Sequence, residues 1–112
     1  MFNGCTGLTS APELPATTLA DYCYEGMFYG CTSLTAAPEL PATTLANYCY
    51  CGMFQGCTNL NSVTCLATDI SASSCVENWL SGVASTGTFT KSPAMTDWPL
   101  NSASGIPSGW TY

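Results

Sequence analysis

Residues 1–26 and 27–52 are nearly the same sequence, and that repetition constrains the fold more than any other feature. MFNGCTGLTSAPELPATTLADYCYEG is followed by MFYGCTSLTAAPELPATTLANYCYCG, with 21 of 26 positions identical. A third copy opens at Met53 as MFQGCTNLNSVTCLATDISASSC. It keeps Met, Phe, Gly, Cys, Thr and Leu, then diverges after about ten residues. A unit this short cannot bury its own apolar face, so copies are expected to stack, each turn of chain covering its neighbours. The period predicts a right-handed solenoid of three turns over residues 1–65, in repeats 1–26, 27–52 and a partial 53–65. Residues 66–112 form a C-terminal capping unit.

Each turn is expected to carry one strand and one helix. In TTLADYCYEGMF, Leu19, Cys23 and Met27 fall at i, i+4 and i+8, a helical stripe. Thr18 and Asp21 resemble a capping box, repeated less well by Thr44 and Asn47, and Pro15 breaks the chain upstream. Gly26 and Gly52 interrupt that helix. Leu8–Leu14, Leu34–Leu40 and Leu60–Leu66 read as short strands. Pro12 and Pro38 remove a ladder donor from the first two, so the cleanest strand is expected at Asn61–Ala67. The core on this reading comprises Phe2, Cys5, Leu8, Leu19, Cys23, Met27, Phe28, Cys31, Leu34, Leu45, Cys49, Met53, Phe54, Cys57, Leu60, Cys75 and Trp79.

In the capping unit Ser74 and Glu77 form a capping box that opens a helix with Cys75, Trp79, Leu80 and Val83 on one side. Thr88–Lys91 reads as a strand, and the Pro- and Gly-rich remainder as loop with one terminal strand. Trp79, Phe89, Trp98 and Trp110 are the residues suited to closing the last turn.

Composition excludes several function classes. The chain has one Lys or Arg, seven Asp or Glu and no His, a net charge of −6. Nucleic-acid backbones and anionic lipid need more cations than Lys91 alone. Without His, Ser-His-Asp and Cys-His catalysis and His-ligated metals are absent. No apolar run approaches the length of a membrane span. MFNGCTGLTS has neither a basic n-region nor an apolar h-region, so no signal peptide is expected in it. The chain opens in mid-repeat, leaving the first turn uncovered. It is therefore expected to be the C-terminal piece of a longer protein or to self-associate through that end.

The eight cysteines follow the period. Cys5, Cys31 and Cys57 form one column, and Cys23, Cys49 and Cys75 another. Buried thiols suit such columns; bridges between column neighbours are the alternative. Cys51 and Cys65 stand where the preceding copies have Glu25 and Glu39. Their spacing is not that of structural zinc sites, and no cofactor, metal or catalytic residue is expected.

The repeated polar residues are the candidate ligand surface. Thr9, Glu13, Thr35 and Glu39 recur on the predicted strand face. Glu13 and Glu39 lack the third acidic ligand that a hard cation needs. Tyr22, Tyr24, Tyr48 and Tyr50 flank the second cysteine column, and half of them must face out if Cys23 and Cys49 face in. Tyr is enriched at interfaces.

The motif Phe-x-Gly-Cys-Thr-x-Leu, present as Phe2–Leu8, Phe28–Leu34 and Phe54–Leu60, resembles the BspA-like leucine-rich-repeat family of bacterial surface proteins. The resemblance spans essentially the whole chain, with a 26-residue period longer than the common form. It implies a leucine-rich-repeat solenoid of strand-plus-helix turns and a location outside the cell or on the bacterial surface. The implied function is non-catalytic: adhesion or recognition through protein–protein contacts with a host or neighbouring cell, or with a glycan. The alternatives are a structural spacer or terminal cap of a longer surface or phage fibre protein, and a carbohydrate-binding module using Trp98 and Trp110.

Overall fold

Every fourth residue of the segment after Ala20 takes a left-handed backbone, and this decides the architecture. In the computed structural model, which describes residues 4–14, 16–95, 98–100 and 104–112, φ is positive at Tyr22 (62), Gly26 (60) and Gly30 (72). The same holds at Tyr48 (58), Gly52 (61) and Gly56 (80), and at Ser74 (52), Asn78 (55) and Gly82 (78). A left-handed residue in every turn cannot belong to a right-handed α-helix. Between these positions the N–H groups of Cys23, Glu25, Met27, Tyr29 and Cys31 bond to carbonyls three residues earlier, giving a run of tight turns.

The predicted helices are therefore not formed. No α-helix occurs among the described residues. The stripe Leu19, Cys23, Met27 is no buried face: Met27 is buried, Leu19 half-buried and Cys23 exposed. Asp21 does not cap its own segment, because its Oδ1 accepts the Asn47 N–H from the next layer, 3.2 Å away. The segment opened by Ser74 is likewise a run of turns, with Glu77 N–H donating to the Ser74 carbonyl.

The turn segments lie on one another. Tyr22, Tyr24, Gly26, Phe28 and Gly30 donate their N–H groups to Asn47, Cys49, Cys51, Met53 and Gln55, at 2.8–3.0 Å. One repeat later Tyr48, Tyr50, Gly52, Phe54 and Gly56 donate to Ser73, Cys75, Glu77, Trp79 and Ser81, at 2.8–3.0 Å. Repetition thus does bring equivalent residues together, through backbone bonds between turns rather than through packed helices.

The strands are fewer and shorter than expected. β1 (Ser62–Cys65), β2 (Gly87–Lys91) and β3 (Trp110–Thr111) form one parallel sheet in that order. Val63 pairs with Phe89, and Gly87 with Trp110. The stretch Leu34–Leu40 contributes only single bridges, Ala36 to Ser62 and Leu40 to Cys65, since Pro38 between them has no N–H. Leu8–Leu14 forms no strand at all. The molecule is a compact globule, 33 × 29 × 21 Å, built on a small three-stranded parallel sheet. It is not the α/β leucine-rich-repeat solenoid that the period and the resemblance imply.

The core joins the aromatic columns to the sheet. Phe28 stacks on Phe54, centroids 5.5 Å apart. Tyr24, Tyr50, Trp79 and Trp98 form a second stack, at 6.1, 6.1 and 5.5 Å. Phe89 of β2 meets Trp79 and Trp98 edge-on. Stacked and edge-on pairs add about 1 kcal/mol each to the burial of the rings. Trp110 is also buried, with its indole N–H on the Ala84 carbonyl at 2.8 Å.

Of the expected core, Met27, Phe28, Cys31, Leu34, Leu45, Cys49, Met53, Phe54, Cys57, Leu60, Cys75 and Trp79 are buried, and Leu8 is half-buried. Cys5 and Cys23 are exposed. They belong to the first layer, and no described segment lies over it. Phe2 lies outside the described residues.

Candidate functional site

Glu13 and Glu39 occupy equivalent places in the two Pro-Glu-Leu-Pro segments, and both are exposed. They line an open groove of about 400 Å³ together with Ala11, Leu14, Pro38 and Pro41. Proline holds these segments extended without regular pairing, so successive copies lie side by side with their carboxylates outward. The groove combines apolar walls with two carboxylates, and no ion pair to either is formed among the described residues. Thr9 and Thr35 are exposed but do not line it. The prolines and Leu14 that shape it were not among the expected contact residues, although the repeated Pro-Glu-Leu-Pro motif marks them.

The four tyrosines do not form one exposed row. Tyr22 is 55% exposed and stacks on the half-buried Tyr48, centroids 4.8 Å apart and planes within 2°. Tyr50 is buried, and Tyr24, which stacks on it, is half-buried. Both Cys49 and Tyr50 face inward because neighbouring residues of a tight turn do not alternate sides as they do in a strand. Burial pushes the Tyr50 hydroxyl well above the ordinary range, assisted by the nearby thiols of Cys65 and Cys49. Of these four, Tyr22 alone is exposed, with Tyr48 half-buried against it.

All eight cysteines are free thiols. Burial raises Cys49, Cys57 and Cys65 from an ordinary 9.0 to about 12. The Cys57 thiol donates to the Phe28 carbonyl at 3.0 Å, and the Cys75 thiol to the Ile70 carbonyl at 3.4 Å. Cys51 is half-buried in a column between Glu25 and Glu77. Desolvation first, then these two carboxylates, raises its pKa. That is the reverse of what activates a nucleophilic cysteine. Among the described residues no three His, Cys, Asp or Glu side chains are arranged to hold a metal ion.

Trp98 and Trp110 are 6% and 4% exposed. Both rings are thus packed into the core rather than presented on the surface. No helix among the described residues is long and apolar enough to cross a membrane. No family model, curated protein or solved structure matches the chain.

Proposed function

We propose that the chain is a non-catalytic recognition module that binds a protein ligand through the Glu13–Glu39 groove. The carrying observation is the groove itself: two carboxylates in register over Pro and Leu walls, on a chain of net charge −6. Apolar walls with few polar groups provide contact area and orientation together. The negative field favours a ligand segment carrying Lys or Arg and speeds its approach. The resemblance of the Phe-x-Gly-Cys-Thr-x-Leu motif to BspA-like surface proteins supports an adhesive role at a bacterial cell surface. That support comes from the motif and not from the fold.

A displayed random-peptide library, panned at low salt against the chain and against an E13Q/E39Q double variant, tests this reading. Enrichment of Lys- or Arg-containing peptides on the parent alone is the expected result. Equal enrichment on both proteins, or none on the parent, overturns the groove as the ligand site.

A further inference from the structure

Cys31 and Cys57 stand at equivalent places in adjacent layers, and the chain is tied across on both sides of them. Before them, the Gly30 N–H donates to the Gln55 carbonyl at 2.8 Å, and a Cβ on Gly56 would lie 3.5 Å from the Gly30 Cα. After them, the Asn59 side-chain amide donates to the Thr32 carbonyl at 2.7 Å. Hydrogen-bonded neighbouring segments lie about 4.8 Å apart. That falls inside the range of about 4.4–6.8 Å that a disulfide spans between Cα atoms.

The Cys57 sulfur already crosses the gap. Its thiol donates to the Phe28 carbonyl at 3.0 Å, the same carbonyl that receives the Cys31 N–H at 3.1 Å. Both cysteines are fully buried, three residues beyond the stacked Phe28 and Phe54. The other buried column is set differently. Its Cys75 thiol turns to the Ile70 carbonyl of its own layer at 3.4 Å, and Cys65 lies close to both Cys49 and Cys75 as a third thiol.

We propose that Cys31 and Cys57 form a redox lock: in an oxidising medium they join as a disulfide that staples the second layer to the third, and in a reducing medium they persist as thiols. The oxidant is a small-molecule disulfide, oxidised glutathione or its like. One cysteine thiolate attacks it, forming a mixed disulfide and releasing one small thiolate. The other cysteine thiolate attacks the cysteine sulfur of that mixed disulfide, and the Cys31–Cys57 bond forms as the second small thiolate leaves. Two electrons pass from the protein to the oxidant, and the two protons lost by the cysteines end on the two small thiols. The exchange belongs to folding rather than to the finished molecule. In the folded chain burial shuts out the oxidant and pushes the Cys57 thiol from an ordinary 9.0 up to about 12. In the unfolded chain the thiolate is available, and the register of the repeats selects its partner as the layers meet. The lock does not depend on the Glu13–Glu39 groove.

The test is refolding of the full chain from urea at pH 8 in mixed oxidised and reduced glutathione, followed by acid quenching and disulfide mapping of peptides cut at aromatic residues. A predominant Cys31–Cys57 bridge is expected. The unfolding equilibrium constant of the oxidised chain should be at least about tenfold smaller than that of the same chain in dithiothreitol. Cys57→Ala should abolish the difference between the two media. Cys5 stands in the same column as the competing partner, so a predominant Cys5–Cys31 bridge overturns the proposal. Pairing scattered over the eight cysteines, or no bridge at all, overturns it too. So does a bridged chain no more stable than the reduced one, or a Cys57→Ala chain that keeps the difference. The mapping uses the parent chain alone and decides the pairing even where the variant fails to fold.

Discussion

The indole N–H of Trp79 donates to the carbonyl of Gly105 at 3.1 Å, tying the last stacked turn to the C-terminal tail inside the core. Both residues are buried, so the carbonyl has no water to replace a lost donor. Trp79→Phe should cost about 1–3 kcal/mol of unfolding free energy, beyond the smaller ring's lost contacts. A Cβ at Gly105 would run into the Pro99 backbone. Gly105→Ala should therefore destabilise comparably, without removing any hydrogen-bonding group. Urea unfolding followed by Trp fluorescence measures both.

Tyr22 and Tyr48 hold left-handed backbones where the later positions of the same segments use glycine. A non-glycine residue there costs on the order of 1 kcal/mol, and ring stacking returns a similar amount. Tyr48→Gly should leave stability within about 1 kcal/mol of the parent, since strain and stacking disappear together. Tyr48→Val keeps the strain, adds a β-branch and loses the ring. It should be the less stable of the two by roughly 2 kcal/mol in the same urea assay.

Buried thiols make the fold sensitive to alkali. Cys49, Cys57 and Cys65 are held near 12 against an ordinary 9.0. An unfolded chain therefore releases their protons at lower pH than the folded one does. Their contribution is intact below about pH 9 and is lost as pH rises toward 12. The urea midpoint should fall steeply over that window. Cys65→Ala should lower it at pH 7, by about 1 kcal/mol in stability, yet flatten its fall at high pH. A variant with the parent slope would show that the Cys65 thiol contributes nothing to the alkaline limb.

Cys51 is restrained by burial and by its two carboxylate neighbours in column. Glu25→Gln with Glu77→Gln removes both charges at exposed positions. At pH 8 the double variant should react with iodoacetamide about threefold faster at Cys51, through a larger thiolate fraction. Cys65, fully buried, should stay unreactive in both proteins and serve as the internal standard.

Much of the packing is visible in the repeat. Equivalence of Phe28 with Phe54, of Cys31 with Cys57 and of Tyr22 with Tyr48 follows from a 26-residue period, and these residues do meet in adjacent layers. The strand at Ser62–Cys65 follows from the only copy without proline in that stretch. The helix reading failed because Leu19, Cys23 and Met27 match helical spacing, while the glycines at 26, 30, 52 and 56 also recur every four residues. Gly26 and Gly52 read as interruptions of a helix, whereas all four mark a backbone that turns left-handed at each such position. Tyr22, Tyr48, Ser74 and Asn78, which adopt that conformation without being glycine, hide the rule from the sequence.

What the sequence determined by itself is the pairing: identical segments bring like residues into register, because side chains that fit one layer fit the next. It also determined the absence of His and the scarcity of cations, and so the chemistry out of reach. Tertiary structure alone decided how the backbone satisfies its hydrogen bonds, with half of the N–H groups of each turn segment sent to the next layer. That choice buries Tyr50 and exposes Tyr22, and it gathers Glu13 and Glu39 into one groove. Local periodicity reports which residues are apolar, but a left-handed backbone at every fourth residue reports only through the partners its N–H groups find.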